Sequence, residues 1–566
     1  MALTLRPWQD SAINKALNWL DGEKEDNNKF LINAAPGSGK TICASVIAKK
    51  LIEKKAVDRV IIIAPRREVV RQWKDEFKAI TGRSMLVVTG KNEDMGIDIC
   101  ATWNALDNLP DLCQQLCEKY KTLVICDEHH HASAAIDAVW GTSAVKAFEK
   151  AKYVIVLTGT PIRTDGQSPV WFQYSKEQNK DLTHPQEGTY TLTYGEAVDL
   201  KYCRPAFFHR HEGKFSVTLK DDGDTIAVSG KEGVQIDEKK HNKKLIKALQ
   251  KSLDYYTLAK SPIYLKDGKT PDINSYQASM LNWGIAKLQD TKERLPQAGG
   301  LVIAPNIKVA EYMHDLLKEL TGEKPFLVHS NLTNSEDLID AFRNSDKDWI
   351  VSVAMISEGV DIKRLRILIY LPNAETELAF RQALGRVVRS MGKNDDTRAY
   401  VVMPTHRIFE EYARRVEREM KPIFLKDEQL KKTKICPKCE KENSRKNLVC
   451  DFCEYEFPQK KTKFKTCEKC EQQNPIHLEE CQNCGSKFGN EYTLTLNTAL
   501  RMGGIAREMD VDEKDVKKAE KYYKEMRKEI MESGDARVIE VLSLFPDESL
   551  FKLGNIIEKV KNKFKE

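Results

Sequence analysis

The chain of 566 residues lacks any apolar run long enough to cross a bilayer. Its longest apolar runs, Val60–Ala64 and Tyr153–Leu157, have the length of buried strands. The first ten residues carry charge where a signal peptide needs an apolar stretch. Neither charge dominates, because 90 basic residues are balanced by 84 acidic ones, and the net charge of +6 alone does not indicate a nucleic-acid partner. We expect a cytoplasmic protein with no membrane partner.

The middle of the chain, from residue 204 to residue 435, contains no cysteine. Six of the fourteen cysteines precede it, and the other eight form four Cys-x-x-Cys pairs that follow it. Pairs at this spacing are typical of metal ligands in a reducing compartment and not of a disulfide framework.

A chain of this length exceeds what one hydrophobic core supports, so we expect several domains. Short apolar strands alternate with helical patterns such as Thr41–Lys54 and Arg67–Ile80, and this alternation is typical of doubly wound α/β domains. The predicted strands of the first half are Phe30–Asn33, Arg59–Ala64, Leu86–Val88, Leu123–Cys126 and Tyr153–Leu157. Those of the second half are Phe207–His211, Thr225–Ser229, Leu301–Ala304, Pro325–His329, Trp349–Ala354, Ile367–Leu371 and Arg398–Met403.

The octapeptide AAPGSGKT at residues 34–41 follows a predicted strand and opens a predicted helix. Glycines such as Gly37 and Gly39 let backbone N–H groups surround phosphate oxygens at a helix N-terminus. In this interpretation Lys40 meets the β- and γ-phosphates of ATP, and the Thr41 hydroxyl helps to hold Mg²⁺. The alternative is an ordinary glycine-rich turn, and Ala34 replaces the first glycine of the general phosphate-loop pattern.

The sequence LVICDEHH at residues 123–130 places two adjacent carboxylates at the end of an apolar strand. Asp127 is positioned to hold Mg²⁺, and Glu128 to orient and deprotonate an attacking water. Acidic residues are also common where a strand passes into a loop, so the prediction depends on the phosphate-binding pattern upstream.

Three further motifs make the chain resemble superfamily 2 helicases of the DExH type. LRPWQ at residues 5–9 resembles the Q motif, in which Gln9 pairs with adenine, and TGTP at residues 158–161 resembles motif III. QALGRVVR at residues 382–389 matches motif VI, whose arginines, here Arg386 and Arg389, stabilise charge on the transferring phosphoryl group. The resemblance implies roles in coupling ATP hydrolysis to strand movement for His130, Thr158, Thr160 and Gln382.

The resemblance also implies a fold and a set of nucleic-acid contacts. It implies two RecA-like domains, an ATP-binding domain at 1–205 and a helicase C-terminal domain at 206–430. SEGVD at residues 357–361 resembles motif V, so Gly359 and Asp361 are expected near the nucleotide. The residues expected to contact the nucleic-acid backbone are Arg66, Thr102, Asn306, His329 and Ser357, and each is equally consistent with a structural loop position.

The cysteine segment contains a repeat of 31 residues with the spacing C-x2-C-x10-C-x2-C. Four thiolates per repeat fit one structural, tetrahedral Zn²⁺, and the alternative of thioredoxin-like redox chemistry lacks a surrounding βαβ unit. The predicted ligands are Cys436, Cys439, Cys450 and Cys453 in the first ribbon and Cys467, Cys470, Cys481 and Cys484 in the second. We therefore predict tandem zinc ribbons at 431–490, followed by an α-helical region at 491–566. A helicase core followed by zinc ribbons resembles RadD-like DNA-repair proteins.

The sequence as a whole predicts an ATP- and Mg²⁺-dependent DNA helicase or translocase, with two structural Zn²⁺ ions. We expect it to act in DNA repair, recombination or phage-related DNA metabolism. Three alternatives stay open: a duplex translocase or branched-DNA remodeller that does not unwind, an RNA helicase, and an ATPase switch that acts through a protein partner. Such a partner would bind the zinc ribbons or the C-terminal helices.

Overall fold

The computed structural model describes a part of the chain that contains both α/β domains and both cysteine repeats. The described residues are 4–22, 28–88, 98–128, 139–159, 170–172, 175–176, 182–183, 187–218, 225–235, 253–332, 334–353, 362–373, 376–391, 395, 397–421, 433–436, 438–439, 441–444, 447, 449–457, 464–467, 469–470, 472–475, 481–486 and 491–495.

The first domain is built on a parallel sheet of seven strands in the order β3-β4-β2-β5-β6-β1-β9. Its strands are β1 (Lys29–Ala34), β2 (Arg59–Ala64), β3 (Met85–Val87), β4 (Asp98–Thr102), β5 (Thr122–Cys126), β6 (Tyr153–Thr158) and β9 (Thr189–Leu192). Two very short strands, β7 (Ser175–Lys176) and β8 (Leu182–Thr183), form a separate antiparallel pair. The helices are α1 (Pro7–Leu20), α2 (Lys40–Glu53), α3 (Arg67–Thr81), α4 (Trp103–Leu106), α5 (Pro110–Lys119), α6 (Val139–Phe148) and α7 (Tyr194–Asp199).

The central strands are apolar along their whole length because helices cover both faces of the sheet. Every residue of β2 and β6 is buried. Helix α3 has the opposite character, with Trp73 and Phe77 buried against the sheet and charged residues on its other face. The five strands predicted for this half are confirmed within one residue at each end. Strands β4 and β9 of the sheet and the short pair β7 and β8 were not predicted.

The second domain is built on a parallel sheet of six strands in the order β10-β18-β17-β14-β16-β15. These strands are β10 (Ala206–His211), β14 (Gly299–Ala304), β15 (Phe326–Val328), β16 (Trp349–Val353), β17 (Leu365–Tyr370) and β18 (Ala399–Pro404). The helices are α8 (Tyr255–Lys260), α9 (Tyr276–Lys292), α10 (Ile307–Thr321), α11 (Ser335–Arg343), α12 (Glu377–Val387) and α13 (Arg407–Glu419). The two parallel sheets confirm the predicted pair of RecA-like α/β domains.

A small sheet beside the second domain contains a strand from the far end of the described chain. Strands β11 (Lys214–Thr218), β12 (Thr225–Ser229) and β13 (Gly233–Gln235) form an antiparallel meander. Strand β23 (Glu491–Thr495) adds to its edge in parallel with β11. The prediction of a helical region from residue 491 is therefore wrong for its first five residues. They alternate, with Tyr492 and Leu494 buried, as a strand with one covered face does.

In the chain, the cysteine repeats follow the second α/β domain and precede β23. Each contains one short antiparallel pair, β19 (Thr433–Ile435) with β20 (Glu442–Ser444) and β21 (Phe464–Thr466) with β22 (Gln473–Pro475). The rest of the predicted C-terminal helical region lies outside the described residues. In the part of the chain that the structure describes, no helix combines the length and the apolar character that a membrane span requires.

Candidate nucleotide site and nucleic-acid cleft

The phosphate-binding loop lies between β1 and α2, as the sequence predicts. Gly37 and Gly39 have φ angles of +75° and +94°, which side chains rarely adopt, so the loop curls in a way that glycine permits. Lys40 begins α2, and its Nζ donates to the carbonyl oxygen of Ala34 over 2.8 Å. Thr41 follows in the first helical turn, half-buried.

The segment before and within α1 fixes this loop through three side chains. The guanidinium of Arg6 donates to the carbonyl oxygens of Gly37 and Ser38, over 3.3 and 2.9 Å. The indole of Trp8 donates to Ser38 over 3.1 Å. The Gln9 amide donates to the carbonyl oxygen of Gly39 over 2.9 Å, while its oxygen accepts from the Arg6 backbone N–H. Both ends of Gln9 thus contact the chain here, and its pairing with adenine stays a prediction.

The predicted acidic pair lies at the carboxyl end of β5. One carboxylate oxygen of Asp127 accepts from the indole of Trp73 over 2.9 Å, and the other accepts from the backbone N–H of Glu128 over 3.0 Å. The indole of Trp103 donates to the Asp127 carbonyl oxygen over 3.0 Å. Glu128 has a φ of 50°, a left-handed conformation that strains a residue with a side chain.

The second domain reaches the phosphate-binding loop with the motif VI segment. A Cβ added to Gly37 would lie 3.1 Å from Cγ of Arg389, and one added to Gly385 would lie 2.9 Å from Cγ of Pro36. The Arg389 Nε donates to the Gly385 carbonyl oxygen over 3.2 Å. Arg386 is buried in the last turn of α12. Since α12 belongs to the second domain, both domains contribute residues to the candidate nucleotide site.

The segment that joins the domains, residues 200–205, lies at this junction. Cys203 forms a β-bridge with Arg389, and its thiol donates to the Pro36 carbonyl oxygen over 3.0 Å. Arg204, fully buried, donates to the carbonyl oxygens of Val387 and Leu365 and pairs with Asp395 over 2.8 Å. These residues give the motif VI segment a fixed position against the loop.

The charged groups of the site perturb one another. Burial lowers the pKa of Lys40, and Glu128 and Asp127 oppose that shift. Burial raises the pKa of Asp127 to about 6 and the charge of Glu128 adds to the rise, whereas Trp73 and Lys40 act against it. Burial also raises the pKa of Cys203 to about 12. A bound phosphate and a divalent cation would balance these buried charges.

The predicted coupling residues are only partly described. Thr158 ends β6 and is buried, in register with Asn33 of β1, and Gln382 is half-buried on α12. His130, Thr160, Ser357, Gly359 and Asp361 lie outside the described residues.

A cleft of about 1670 Å³ lies between the two domains, on the side where β2 and β4 end. The first domain lines it with Arg66, Arg67 and Arg71 and with Thr102, and the second with Asn334, Arg343 and Lys363 among others. Two of the predicted nucleic-acid residues, Arg66 and Thr102, therefore line the same cleft. Arg66 precedes α3, and the Thr102 hydroxyl accepts from the backbone N–H of Ala105 at the start of α4.

The other two described candidates are not among the described residues that line this cleft. Asn306 caps α10 by accepting from the backbone N–H of Val309 over 2.9 Å. His329 is buried, and its Nδ1 has no hydrogen-bond partner among the described residues. Their contact with nucleic acid stays a prediction.

Each cysteine repeat gathers its four thiols into one cluster, within which the sulfur atoms lie no more than 4.8 Å apart. The opposed pairs are separated by 3.5 and 3.6 Å in the first ribbon and by 3.7 and 3.5 Å in the second. A tetrahedral ion with Zn–S bonds of about 2.3 Å needs sulfur atoms roughly 3.8 Å apart. The donor sets thus fit one zinc ion each.

Sequence reasoning missed several residues that this geometry brings forward. Trp73 and Trp103 both donate hydrogen bonds to Asp127. The sequence indicated these bonds only in that each tryptophan lies near a predicted motif. In the ribbons, Asn443 and Asn474 occupy equivalent positions 31 residues apart, and each amide donates to a cysteine sulfur over 3.4 Å. The recurrence of these asparagines in the 31-residue repeat was a sequence signal that could have identified them.

Comparison with protein families identifies two matched regions. Residues 2–163 match the family described as "Type III restriction enzyme, res subunit", and residues 285–391 match the "Helicase conserved C-terminal domain". The first region contains the phosphate-binding loop and the acidic pair, and the second contains the motif VI arginines.

Three curated relatives are similar over about 400 residues. An uncharacterized protein of Mycobacterium tuberculosis is 29% identical over 70% of this chain and 61% of its own length. The "Type I restriction enzyme EcoAI endonuclease subunit" of Escherichia coli is 24% identical over 68% of this chain and 44% of its own. The "DNA 3'-5' translocase XPB2" of Sulfurisphaera tokodaii is 22% identical over 69% of this chain and 80% of its own. The chain thus spans about three fifths of the length of the mycobacterial relative.

Two RecA-like domains that meet at a phosphate-binding loop are the architecture of helicase-like proteins. The two family matches, in this order, support the predicted resemblance to superfamily 2 helicases of the DExH type. The narrower likeness to RadD-like proteins stays a prediction.

Proposed function

We propose that this protein is an ATP-dependent motor that binds DNA in the interdomain cleft and moves along it or remodels it. The observation that carries the proposal is the contact of Arg389 with Gly37, which joins motif VI of one domain to the phosphate-binding loop of the other. Its expected place in DNA repair, recombination or phage-related DNA metabolism stays a prediction.

The residues of the first domain hold the nucleotide in this proposal. Lys40 releases the Ala34 carbonyl oxygen and turns to the β- and γ-phosphates, while the loop's N–H groups bind phosphate oxygens. Thr41 and Asp127 hold Mg²⁺, which neutralises charge on the phosphates when bound. Glu128 orients the attacking water and accepts its proton.

The residues of the second domain complete the site only when the domains are closed. Arg386 and Arg389 stabilise negative charge on the transferring phosphoryl group, as arginine fingers do. Release of phosphate then weakens the contact between the domains, and the strand in the cleft shifts relative to one of them. Arg66 and Thr102 contribute contacts to the DNA backbone, which carry no sequence information.

The zinc ribbons have a structural role in this proposal. Four cysteines occupy every coordination position of each ion, so no position is left for a water or a substrate. The ribbons are connected to the motor through β23, which pairs with β11 beside the second domain.

Turnover measured with different nucleic acids tests the proposal. We expect single-stranded DNA, duplex DNA or a fork to stimulate ATP hydrolysis, and Lys40→Ala and Glu128→Gln each to abolish it. The exposed Lys54→Ala, at the end of α2, is the matched control and should retain activity. Near-normal turnover in either site variant would overturn the mechanism. Stimulation by RNA and not by DNA would overturn the DNA assignment and favour an RNA helicase.

A second candidate function is translocation on duplex DNA without strand separation. One relative, described as a "DNA 3'-5' translocase", favours it. Displacement of a triplex-forming strand from duplex DNA, without release of a labelled strand from a fork, would support this candidate over unwinding.

A further inference from the structure

Two buried tryptophans connect the cleft to the acidic pair. Trp73 and Trp103 are 0% and 1% exposed, and both donate their indole N–H to Asp127, one to the carboxylate and one to the backbone carbonyl oxygen. We propose that Trp73 and Trp103 are positioning residues through which DNA in the cleft aligns Asp127 and Glu128 for hydrolysis. This inference rests on the proposed ATPase function.

Trp73 lies on α3, whose first turns line the cleft. Arg67 and Arg71 are one helical turn apart and face the cleft, while Trp73 lies on the buried side of the same helix. A helix moves as a rigid unit, so a phosphate that shifts the arginines also shifts the indole. The indole is hydrogen-bonded to one oxygen of the carboxylate that would hold Mg²⁺.

Trp103 directly follows Thr102, the other cleft residue. The Thr102 hydroxyl caps the short helix α4, and Trp103 is the first residue of that helix. Its indole donates to the carbonyl oxygen of Asp127, which belongs to the peptide unit that leads into Glu128. That peptide must be held in place, because Glu128 has a φ of 50°. Trp103 therefore orients Glu128 as Trp73 orients Asp127.

A third bond leads to the same cleft. The backbone N–H of Asp127 donates to the carbonyl oxygen of Ile63 over 2.8 Å, and β2 then continues into Pro65 and Arg66 at the cleft. Three segments that line the cleft thus converge on one residue of the nucleotide site. A purely structural role would also pair both buried N–H groups, but it would not make Mg²⁺ binding or turnover depend on DNA through them, and this difference is testable.

Phenylalanine preserves most of the ring and removes the donor, so Trp73→Phe and Trp103→Phe isolate the two hydrogen bonds. Trp19→Phe is the matched control, since the Trp19 indole donates to the Lys29 carbonyl oxygen over 2.8 Å in the same domain, away from the cleft. Thermal melting of all three variants separates loss of folding from loss of positioning.

The first measurement is steady-state ATP hydrolysis by the full chain, with and without a single-stranded oligodeoxynucleotide, at varied Mg²⁺. We expect Trp73→Phe to raise the Mg²⁺ concentration for half-maximal rate by about tenfold, as loss of a hydrogen bond to a charged group does. We expect Trp103→Phe to lower the DNA-stimulated kcat by about tenfold with an unchanged Mg²⁺ requirement. The control should match the wild type in both quantities.

The second measurement does not depend on hydrolysis. Mn²⁺ binding is followed by electron paramagnetic resonance with a non-hydrolysable ATP analogue, with and without the oligonucleotide. DNA should tighten Mn²⁺ binding in the wild type, and by reciprocity Mn²⁺ and analogue should tighten DNA binding by the same factor. Both effects should disappear in Trp73→Phe.

The two measurements separate the inference from the function on which it rests. A wild type that binds metal and nucleotide but never hydrolyses ATP would overturn the proposed function, while the Mn²⁺ experiment still tests the tryptophans. The inference is wrong if Trp73→Phe and Trp103→Phe fold and DNA still raises their Mn²⁺ affinity and kcat as in the wild type. Both tryptophans would then have only a structural role in the core.

Discussion

Arg389 lies against Gly37: its Cγ is 3.1 Å from the position that a Cβ on the glycine would occupy. This contact crosses from the second domain to the phosphate-binding loop of the first. It requires a residue without a side chain on the loop and an arginine with a long aliphatic stem on the partner domain. The site is therefore sensitive to small changes on either side of the junction.

The first prediction concerns Arg389 itself. Arg389→Ala should lower kcat for ATP hydrolysis by about 10³, because an arginine finger contributes mainly to the transition state. The affinity for ATP should change little, since the loop and Lys40 belong to the other domain. Stopped-flow binding of a fluorescent ATP analogue and steady-state turnover measure the two quantities. Arg414→Ala, an exposed change on α13, is the control, and equal turnover in both variants would contradict the role.

The second prediction concerns Gly385, whose added Cβ would lie 2.9 Å from Cγ of Pro36. Gly385→Ala should stabilise α12 by about 1 kcal/mol as a helix substitution, yet separate it from the loop. We expect an unchanged or higher melting temperature together with a turnover reduced by about tenfold. A fall in both quantities would instead indicate general unfolding.

Much of this architecture was predictable because local sequence determined it. Strand β2, Arg59–Ala64, was predicted at its observed bounds because it is apolar throughout, as strands covered on both faces are. Strand β4 was missed because it begins with a charged residue, Asp98. That carboxylate is buried, accepts from the Val60 backbone N–H and pairs with Arg83, and such compensation exists only in the fold.

The structural features that could not be predicted depend on contacts between residues far apart in the chain. Strand β23 pairs with β11, which lies more than 270 residues earlier in the chain. The alternation of Tyr492 and Leu494 is too short to predict a strand by itself. The candidate nucleotide site was likewise predictable only in part. Lys40 and Asp127 were predicted from sequence motifs, whereas the hydrogen bond from Trp73 to Asp127 depends on where α3 lies on the sheet.

The third prediction concerns His211 at the end of β10, next to the small sheet. Its ring contacts the Ser279 hydroxyl over 2.6 Å, and that hydroxyl contacts the Tyr492 hydroxyl of β23 over 2.9 Å. Burial, with the neighbouring His209, lowers the pKa of His211 to about 3. Below a pH of about 6.5 the unfolded chain takes up a proton that the folded chain does not, so stability falls as pH falls.

The expected loss from His211 is about 2 kcal/mol of unfolding free energy between neutral pH and pH ~5. Urea titrations at several pH values measure it. His211→Gln removes the titrating group, so its stability should depend less on pH over this interval. The same slope in both proteins would show that His211 is not responsible.

The last prediction concerns the metal content of the ribbons. The wild type should contain two zinc ions per chain, because two clusters of four thiols fit one tetrahedral ion each. Cys450→Ser should reduce the content to one, since its sulfur faces Cys439 over 3.6 Å and belongs to the first cluster only. Inductively coupled plasma mass spectrometry of the purified chain gives the stoichiometry.

The control is Cys117→Ser, a buried cysteine of α5 outside the clusters, which should retain both ions. The two ribbons also permit an internal comparison, because Cys481→Ser should remove the ion of the second cluster alone. A chain that carries no zinc, or that loses both ions with either substitution, would contradict two independent sites. Loss of both would instead indicate that the ribbons fold as one unit, each depending on the other's metal.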